Sequence, residues 1–258
     1  MQLDTRDLSF IKTYCNRTLS FEEFQEMAKN ESLSLSEKIG VPNSYRNDTE
    51  SIILEDISSK IKSLNDHNKK ILDIGSGCSK LTQLLIEKIK TNNNTLILCD
   101  SQEMLELIDD NQSISKISGK FPYNLANFSN YKNSLDGIIT YSVLAHVILE
   151  DSIYNFIDSA LELLKPGGEL LIGDLPNISK RERFFRSEKG IKCHQEFTQS
   201  NSIPETSSGT LQKNKIDDSI VFGILQRYRN FGFESYLLPQ DSRLIMSSRR
   251  DDILIIKN

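Results

Sequence analysis

Two glycines and two aspartates in this chain have the types and spacing of a site for a nucleotide-like ligand. In "KILDIGSGCSKL" an apolar run ends at Gly75 and Gly77, and Asp73 stands two residues before the first glycine. Because glycine has no Cβ, the backbone N–H groups of such a turn can approach a ligand closely. Asp100 ends the next apolar run, where a carboxylate can accept hydrogen bonds from both hydroxyls of a ribose.

Lys80 argues against a dinucleotide as that ligand. The dinucleotide fingerprint GxGxxG/A needs a very small third residue, where a helix packs closely on the strand, and the chain has Lys80 there. The phosphate-loop pattern GxxxxGK[ST] is also absent. Asp100 alone does not choose between cofactors, since every adenosyl-containing cofactor carries a ribose. It is also placed to cap the helix that follows it.

A regular alternation of strands and helices positions these residues. Strands are predicted at 70–75, 95–100, 114–118, 135–141 and 169–174, with helices between them at 79–90, 101–109 and 152–164. Short apolar strands alternating with helices indicate a parallel sheet covered on both faces. After a helix at 217–230, strands at 234–238 and 252–257 follow each other without a helix, so the last strand should run antiparallel to its neighbour.

Two segments lie outside this alternation. Residues 1–49 are expected to form an N-terminal helical extension, in which Ser20 and Glu23 have the spacing of a helix capping box. Residues 50–258 would form the core. Within the core, residues 176–216 are polar and weakly periodic, and long loops of this kind in compact domains are usually functional lids or disordered. We expect this insertion to be a lid on the substrate side.

The composition sets limits on partners and location. The net charge of −5, from 31 basic and 36 acidic side chains, argues against nucleic acid as a partner. The four cysteines are widely spaced, without a CxxC pair, and so read as reduced thiols of a cytoplasmic protein. The N-terminus lacks the apolar core of a secretory signal. No apolar run approaches the roughly 18 residues of a membrane span. The oligomeric state is left open.

Four segments in order carry a family resemblance: "ILDIGSGCSKLTQLL", "LILCDSQEML", "LDGIITYSVLAHV" and "LELLKPGGELLIGD". Together they resemble the glycine motif, acidic second-strand end, fourth-strand motif and pre-fifth-strand turn of the class I S-adenosylmethionine-dependent methyltransferases. The resemblance covers residues 50–258. It implies an α/β fold of the Rossmann-like, doubly wound type, with a seven-stranded, mostly parallel sheet whose last strand is antiparallel.

The resemblance also implies a cofactor site for S-adenosylmethionine. The glycine loop would pass under the methionine part, with Asp73 near the amino group, while Asp100 would bind the ribose hydroxyls. Lys120 and Phe121 depart from the family, since many members place an acidic residue there to accept from the adenine amine. The implied cofactor-binding residues are Asp73, Gly75, Ser76, Gly77, Asp100, Ser101, Met104 and Ser142.

Candidates for catalysis and acceptor binding follow from position. A hydroxyl or amine acceptor must lose a proton, and His146, just beyond the fourth strand, is the best-placed general base. Packing against a helix is the alternative role of His146. Tyr141 would line the methyl-transfer side. The basic cluster "KRERFFRSEKGIK" fits either an anionic substrate or a solvated helix face. The predicted substrate-binding residues are Tyr45, Arg46, Arg181, Arg183 and His194.

The sequence thus predicts a methyltransferase that acts on oxygen or nitrogen of a small, polar acceptor, with an anionic phosphorylated or sugar-like compound as one option. No metal is expected, because Tyr141 and Ser142 occupy the fourth strand end, where a Mg²⁺ site would need a carboxylate. Two alternatives remain open: an NAD(P)-dependent oxidoreductase, and a non-catalytic S-adenosylmethionine-binding protein.

Overall fold

The computed structural model describes residues 5–15, 17–46, 49–206 and 214–258. A single seven-stranded sheet forms its centre. The strands are β1 Lys70–Ile74, β2 Thr95–Asp100, β3 Ile114–Ser118, β4 Leu135–Tyr141, β5 Leu164–Pro176, β6 Glu234–Leu238 and β7 Arg250–Ile256. Their order across the sheet is β3-β2-β1-β4-β5-β7-β6.

The direction of the strands confirms the predicted fold class. Strands β1 to β5 pair in parallel, with Leu72 opposite Ile97 on β2 and Ile138 on β4. Strand β7 runs antiparallel to both β5 and β6. The arrangement is a Rossmann-like, doubly wound sheet. From β1 the sheet extends through β2 and β3 on one side and through β4 and β5 on the other. The carboxyl ends of β1, β2, β4 and β5 therefore meet along one edge of the sheet.

Twelve α-helices are described around the sheet. They are α1 Thr5–Phe10, α2 Phe21–Lys29, α3 Leu35–Lys38, α4 Asn43–Arg46, α5 Glu50–Lys60, α6 Lys80–Thr91, α7 Gln102–Leu105, α8 Leu144–Glu150, α9 Ile153–Leu163, α10 Ile178–Arg186, α11 Glu188–Thr198 and α12 Asp218–Asn230. The longest, α12, has 13 residues. None of the described helices has the length and apolar character needed to span a membrane.

The core consists of two layers, one on each face of the sheet. Because side chains alternate along a strand, Ile71 faces the helices α5 and α6 while Leu72 faces α9 and α12. On the first face Ile57 of α5 is buried, and on the second Phe156 of α9 is buried. These two layers fix the strand ends from which the site is built.

The N-terminal segment folds as helices, as predicted. Ser20 caps α2 by accepting from the Glu23 N–H, and the Glu23 carboxylate accepts from the Ser20 N–H at 2.8 Å. A second capping box, formed by Ser34 and Glu37, begins α3. The short helices α1 and α4 and a π-helical turn at Ile11–Cys15 were not predicted.

The region after β5 differs from the prediction. The polar insertion contains two helices, α10 and α11, of which α10 begins where the Asn177 side chain accepts from Ser179 N–H at 2.9 Å and Lys180 N–H at 3.2 Å. Phe185 anchors α10 by burying its ring. Residues 207–213 of the insertion lie outside the described residues. The helix predicted at 101–109 is limited to Gln102–Leu105, and α8 was not predicted.

Candidate active site

A cavity of about 870 Å³ opens at the carboxyl ends of the central strands. Its floor includes Asp73 within β1, Asp100 at the end of β2, Tyr141 at the end of β4 and Asp174 within β5. The N-terminal helices and the turns between them supply much of the opposite wall. Ligands of open parallel sheets bind at this edge, where the strand order diverges, so this cavity is the candidate active site.

The glycine loop forms one side of the cavity. Gly75 and Gly77 adopt the left-handed backbone conformation, at φ +73° and +61°. A Cβ on Gly75 would lie 2.4 Å from Val143 Cγ2, and one on Gly77 would lie 2.7 Å from Ile39 Cγ2. The Gly75 N–H donates to the Cys99 carbonyl at 2.8 Å, which ties the loop to β2. Both glycines are thus required by backbone shape and by close packing.

Asp100 completes the loop from the neighbouring strand. Its Oδ2 accepts from the Gly77 N–H at 2.8 Å and its Oδ1 accepts from the Ser101 N–H at 2.7 Å. A carboxylate offers about four acceptor positions, so two remain for a ligand. The helix cap that the sequence left as an alternative role for Asp100 is made by Ser101, whose Oγ accepts from the Met104 N–H at 3.2 Å.

Asp73 is a buried carboxylate without a hydrogen-bond donor among the described residues. Only 7% of the residue is exposed, and that exposure faces the cavity. Burial, and then the charge of Asp100, raise the pKa of Asp73 to about 7. An unpaired buried carboxylate is costly. The site therefore suits a ligand that brings a cationic group to Asp73 and hydroxyl groups to Asp100.

His146 joins the cavity to the N-terminal helices. Its Nδ1 lies 3.0 Å from the Leu19 carbonyl oxygen, and its ring contacts the Phe24 ring edge-on at 4.9 Å between centroids. A carbonyl oxygen can only accept, so Nδ1 carries the proton and Nε2 has a free lone pair. Burial lowers the pKa of His146. The imidazole is accordingly neutral at pH 7 and able to accept a proton at Nε2.

A polar network that the sequence analysis missed lies at the ends of β4 and β5. Ser142 and Asp174 both have left-handed backbones, at φ +64° and +56°, which is unusual outside glycine and frequent at functional sites. Ser142 Oγ donates to Asp174 Oδ2 at 2.5 Å. Gln240 Nε2 lies 3.3 Å from Asp174 Oδ1 and 3.5 Å from Tyr141 Oη. Asp174 ends the apolar run "LLIGD" much as Asp100 ends "LILCD", and that was the available signal.

Most of the predicted site residues meet at this cavity. Its lining includes Asp73, Gly75, Ser76, Gly77, Asp100, Met104, Tyr141, Ser142, His146, Tyr45 and Arg181. Lys120, at the position where the family often has an acidic residue, pairs with Glu150 at 2.9 Å and also lines the cavity.

Three predicted residues lie elsewhere. Ser101 is buried beneath the loop as the cap of α7. Arg183 is exposed and pairs with Asp218. His194 is half-buried: its Nε2 lies 3.1 Å from Ser202 Oγ, and its ring contacts the Phe185 ring rather than the cavity. The side chain of Arg46 lies outside what the structure describes. Within the described ranges, no three histidine, cysteine, aspartate or glutamate side chains cluster in a way that could hold a metal ion.

Comparison with known proteins identifies the family. Residues 65–223 match the family model described as a methyltransferase domain. No curated protein matches the chain.

Solved structures of methyltransferases share the fold. Phosphoethanolamine N-methyltransferase 1 of Haemonchus contortus, solved with phosphoethanolamine and S-adenosylhomocysteine, is 16% identical with a TM-score of 0.55, covering 99% of this chain and 50% of that one. The methyltransferase domain of bacterial CtHen1 is 12% identical with a TM-score of 0.54, covering 82% and 99%. The plantazolicin methyltransferase BpumL, solved with S-adenosylhomocysteine, is 14% identical with a TM-score of 0.54, covering 92% and 98%.

The family match extends over more than half of the chain and includes the glycine loop, Asp100 and the strand ends that form the cavity. It decides against the NAD(P)-dependent oxidoreductase that the sequence alone left open. The unpaired Asp73 fits the same conclusion, since S-adenosylmethionine carries an ammonium group and ribose hydroxyls. The chain belongs to the methyltransferase domain family and is an S-adenosylmethionine-dependent methyltransferase.

Proposed function

We propose that this enzyme methylates an oxygen or nitrogen atom of a small, polar acceptor that carries an anionic group. One observation carries the proposal: the cavity that contains the carboxylates Asp73 and Asp100 is also lined by three cations, Arg181, Lys215 and Arg250. The two carboxylates suit the cofactor, and the cations suit an anion. The net charge of −5 further supports a cytoplasmic small-molecule enzyme over one acting on nucleic acid.

The cofactor would be held by the β1 and β2 ends. Asp73 would pair with the ammonium group of S-adenosylmethionine, and the two unused acceptor positions of Asp100 would take the ribose hydroxyls. The loop Gly75-Ser76-Gly77 would lie against the methionine part, with Met104 packing on the adenine. When bound, S-adenosylmethionine supplies a methyl group activated by its sulfonium.

The acceptor would lie between the glycine loop and the N-terminal helices. Methyl transfer depends mainly on aligning the nucleophile and excluding water, and Tyr141 and Ser142 line the cavity where β4 ends. His146 Nε2 would accept the proton that a hydroxyl or amine releases. Because cofactor and acceptor share about 870 Å³, the acceptor must be small.

The N-terminal extension, residues 1–49, would act as a lid over this acceptor. Leu19, Phe24 and Tyr45 all line the cavity, although they precede the sheet in the chain. The Leu19 carbonyl also holds His146 in place. Among proteins of this fold, the Haemonchus contortus enzyme binds phosphoethanolamine, a small amine with a phosphate group, which is the type of acceptor proposed here.

A turnover assay tests this function. The purified protein is incubated with S-adenosylmethionine and single acceptors, and release of S-adenosylhomocysteine is followed. The panel pairs alcohols and amines with their phosphorylated or carboxylated counterparts. We expect turnover only with acceptors that carry an anionic group. Turnover restricted to neutral acceptors or to nucleic acid would contradict the proposal, and so would the absence of turnover with every anionic acceptor of the panel.

A further inference from the structure

We propose that Arg181, Lys215 and Arg250 form a phosphate subsite, which binds a phosphate monoester of the methyl acceptor. The inference rests on the proposed function, since it assigns the anionic group to a chemical class and to a place in the cavity. Lys215 and Arg250 had no predicted role.

The position of the subsite follows from two adjoining cavities. Arg181 and Lys215 line both the main cavity and a neighbouring cavity of about 250 Å³, and Arg250 lines the main cavity. Arg181 and Lys215 therefore lie where the two cavities adjoin, near Pro176 at the end of β5, and Arg250 is the strand partner of Pro176 on β7. Strand β4 separates β5 from β1, so at about 4.8 Å per strand the subsite lies roughly 10 Å from the glycine loop. An anion there is remote from Asp73.

Aromatic rings hold two of the nearby guanidinium groups in place. The Arg181 guanidinium lies 4.8 Å from the centroid of the Phe185 ring, and the Arg249 guanidinium lies 5.3 Å from the same ring. Arg249 also lies 5.7 Å from the Phe184 ring. Phe185 is buried, so it is a rigid support. Arginine stacks on aromatic faces while its N–H groups stay available for an anion. The subsite is thus partly preorganised before a ligand binds.

Part of the positive charge around this support has no partner within the described residues. Arg249 Nε is buried and has no hydrogen-bond partner among the described residues. Burial, followed by the charges of Arg250 and Arg181, lowers the pKa of Arg249. Neither an ion pair nor a hydrogen bond joins Lys215 to another described residue. A group of cations so placed would be stabilised by a bound anion.

Among the described residues, two carboxylates pair with Arg181 and Arg250, and each is shared with another group. Glu182 lies 3.4 Å from Arg181 and 3.3 Å from Arg186. Asp174 lies 3.7 Å from Arg250 but also accepts from Ser142. The arginines therefore keep unused donors. A phosphate monoester, with close to two negative charges and three acceptor oxygens, matches two guanidinium forks and one ammonium better than a carboxylate does.

Titration calorimetry with inorganic phosphate tests the subsite on the full chain saturated with S-adenosylhomocysteine. We expect Arg181→Gln and Lys215→Gln each to weaken phosphate binding at least tenfold. Arg183→Gln is the matched control, because Arg183 lies on the same helix α10 but pairs with Asp218 outside the cavity. It should leave phosphate affinity unchanged. Acetate, the carboxylate probe, should bind at least tenfold more weakly than phosphate.

Several results would overturn the subsite. They are absence of phosphate binding while S-adenosylhomocysteine binds normally, an equal loss in Arg183→Gln, and acetate binding as tight as phosphate binding. If Arg181→Gln proved unfolded, Lys215→Gln would still decide, since Lys215 lies on a different segment. Failure to bind S-adenosylhomocysteine at all would instead refute the proposed cofactor site, so the two failures are distinguishable.

Discussion

Replacing Asp73 by asparagine removes a buried negative charge while keeping the size of the side chain. If Asp73 pairs with the ammonium group of S-adenosylmethionine, the cofactor binds only when Asp73 is ionised. With a pKa of about 7 in the free protein, Asp73 is about half ionised at pH 7 and about one-hundredth ionised at pH 5. The wild-type affinity should therefore fall about fiftyfold between pH 7 and pH 5, or about 2.3 kcal/mol. The variant Asp73→Asn should bind the cofactor weakly at both pH 7 and pH 5, and its affinity should depend much less on pH than that of the wild type.

Calorimetry measures this linkage directly. A bound cation lowers the pKa of Asp73, so binding at pH 6.5 should release about three-quarters of a proton, which appears as a difference in heat between two buffers of unlike ionisation enthalpy. Asp110→Asn is the control, because Asp110 is exposed and pairs with Lys116 at the surface. If the cofactor affinity of Asp73→Asn changed with pH as steeply as that of the wild type, the assignment of the ammonium group to Asp73 would be refuted.

The same pKa affects the stability of the cofactor-free protein. In the folded state the pKa of Asp73 is raised from 3.8 to about 7, so the folded state binds more protons than the unfolded state between those values. The contribution of Asp73 to stability is then fully present below about pH 4 and is lost as the pH rises to about 7. Asp73→Asn should accordingly raise the melting temperature of the cofactor-free protein at pH 7.5.

Three further predictions address the rest of the site. Asp100→Asn should weaken S-adenosylhomocysteine binding by about 1.5–3 kcal/mol, because hydrogen bonds to a charged group are lost, and unchanged affinity in calorimetry would place the ribose elsewhere. Gly75→Ala should lower the melting temperature more than Gly232→Ala, since both glycines have positive φ but only the first would clash on gaining a Cβ; equal shifts would contradict this. His146→Ala should reduce turnover about 10²-fold or more with nearly unchanged cofactor affinity, while His67→Ala should not; wild-type turnover would exclude His146 as the base.

The sequence predicted the sheet and the cofactor side of the site because the signals for both are local. Asp73, Gly75 and Gly77 are neighbours in the chain, and Asp100 ends the next strand. The acceptor side depends on contacts between distant segments, such as Gln240 with Asp174, which are 66 residues apart. No spacing rule brings such residues together before the fold is known.

The helices of the insertion illustrate a second reason for failure. The composition of residues 176–216 as a whole is polar, which led to the prediction of a long loop. Two local features nevertheless favour a helix: Asn177 can cap its start, and Phe185 can bury its ring. Arg183 was predicted at the acceptor as part of the basic cluster, and His194 because it lies in the insertion. On a helix, only one face of the segment can point to the cavity. Arg181 is on that face, whereas Arg183 points to Asp218.

His146 connects the two halves of the molecule, and its two proposed roles are compatible. The sequence set catalysis and packing against each other as alternatives. In the structure, the packing contact is the Nδ1–H bond to the Leu19 carbonyl, and this bond leaves Nε2 as the nitrogen that can accept a proton. Contact with Phe24 contributes to the burial that keeps the imidazole neutral. The N-terminal extension would thus do more than cover the acceptor, because it would also set the tautomer and the charge of the group that takes the acceptor's proton.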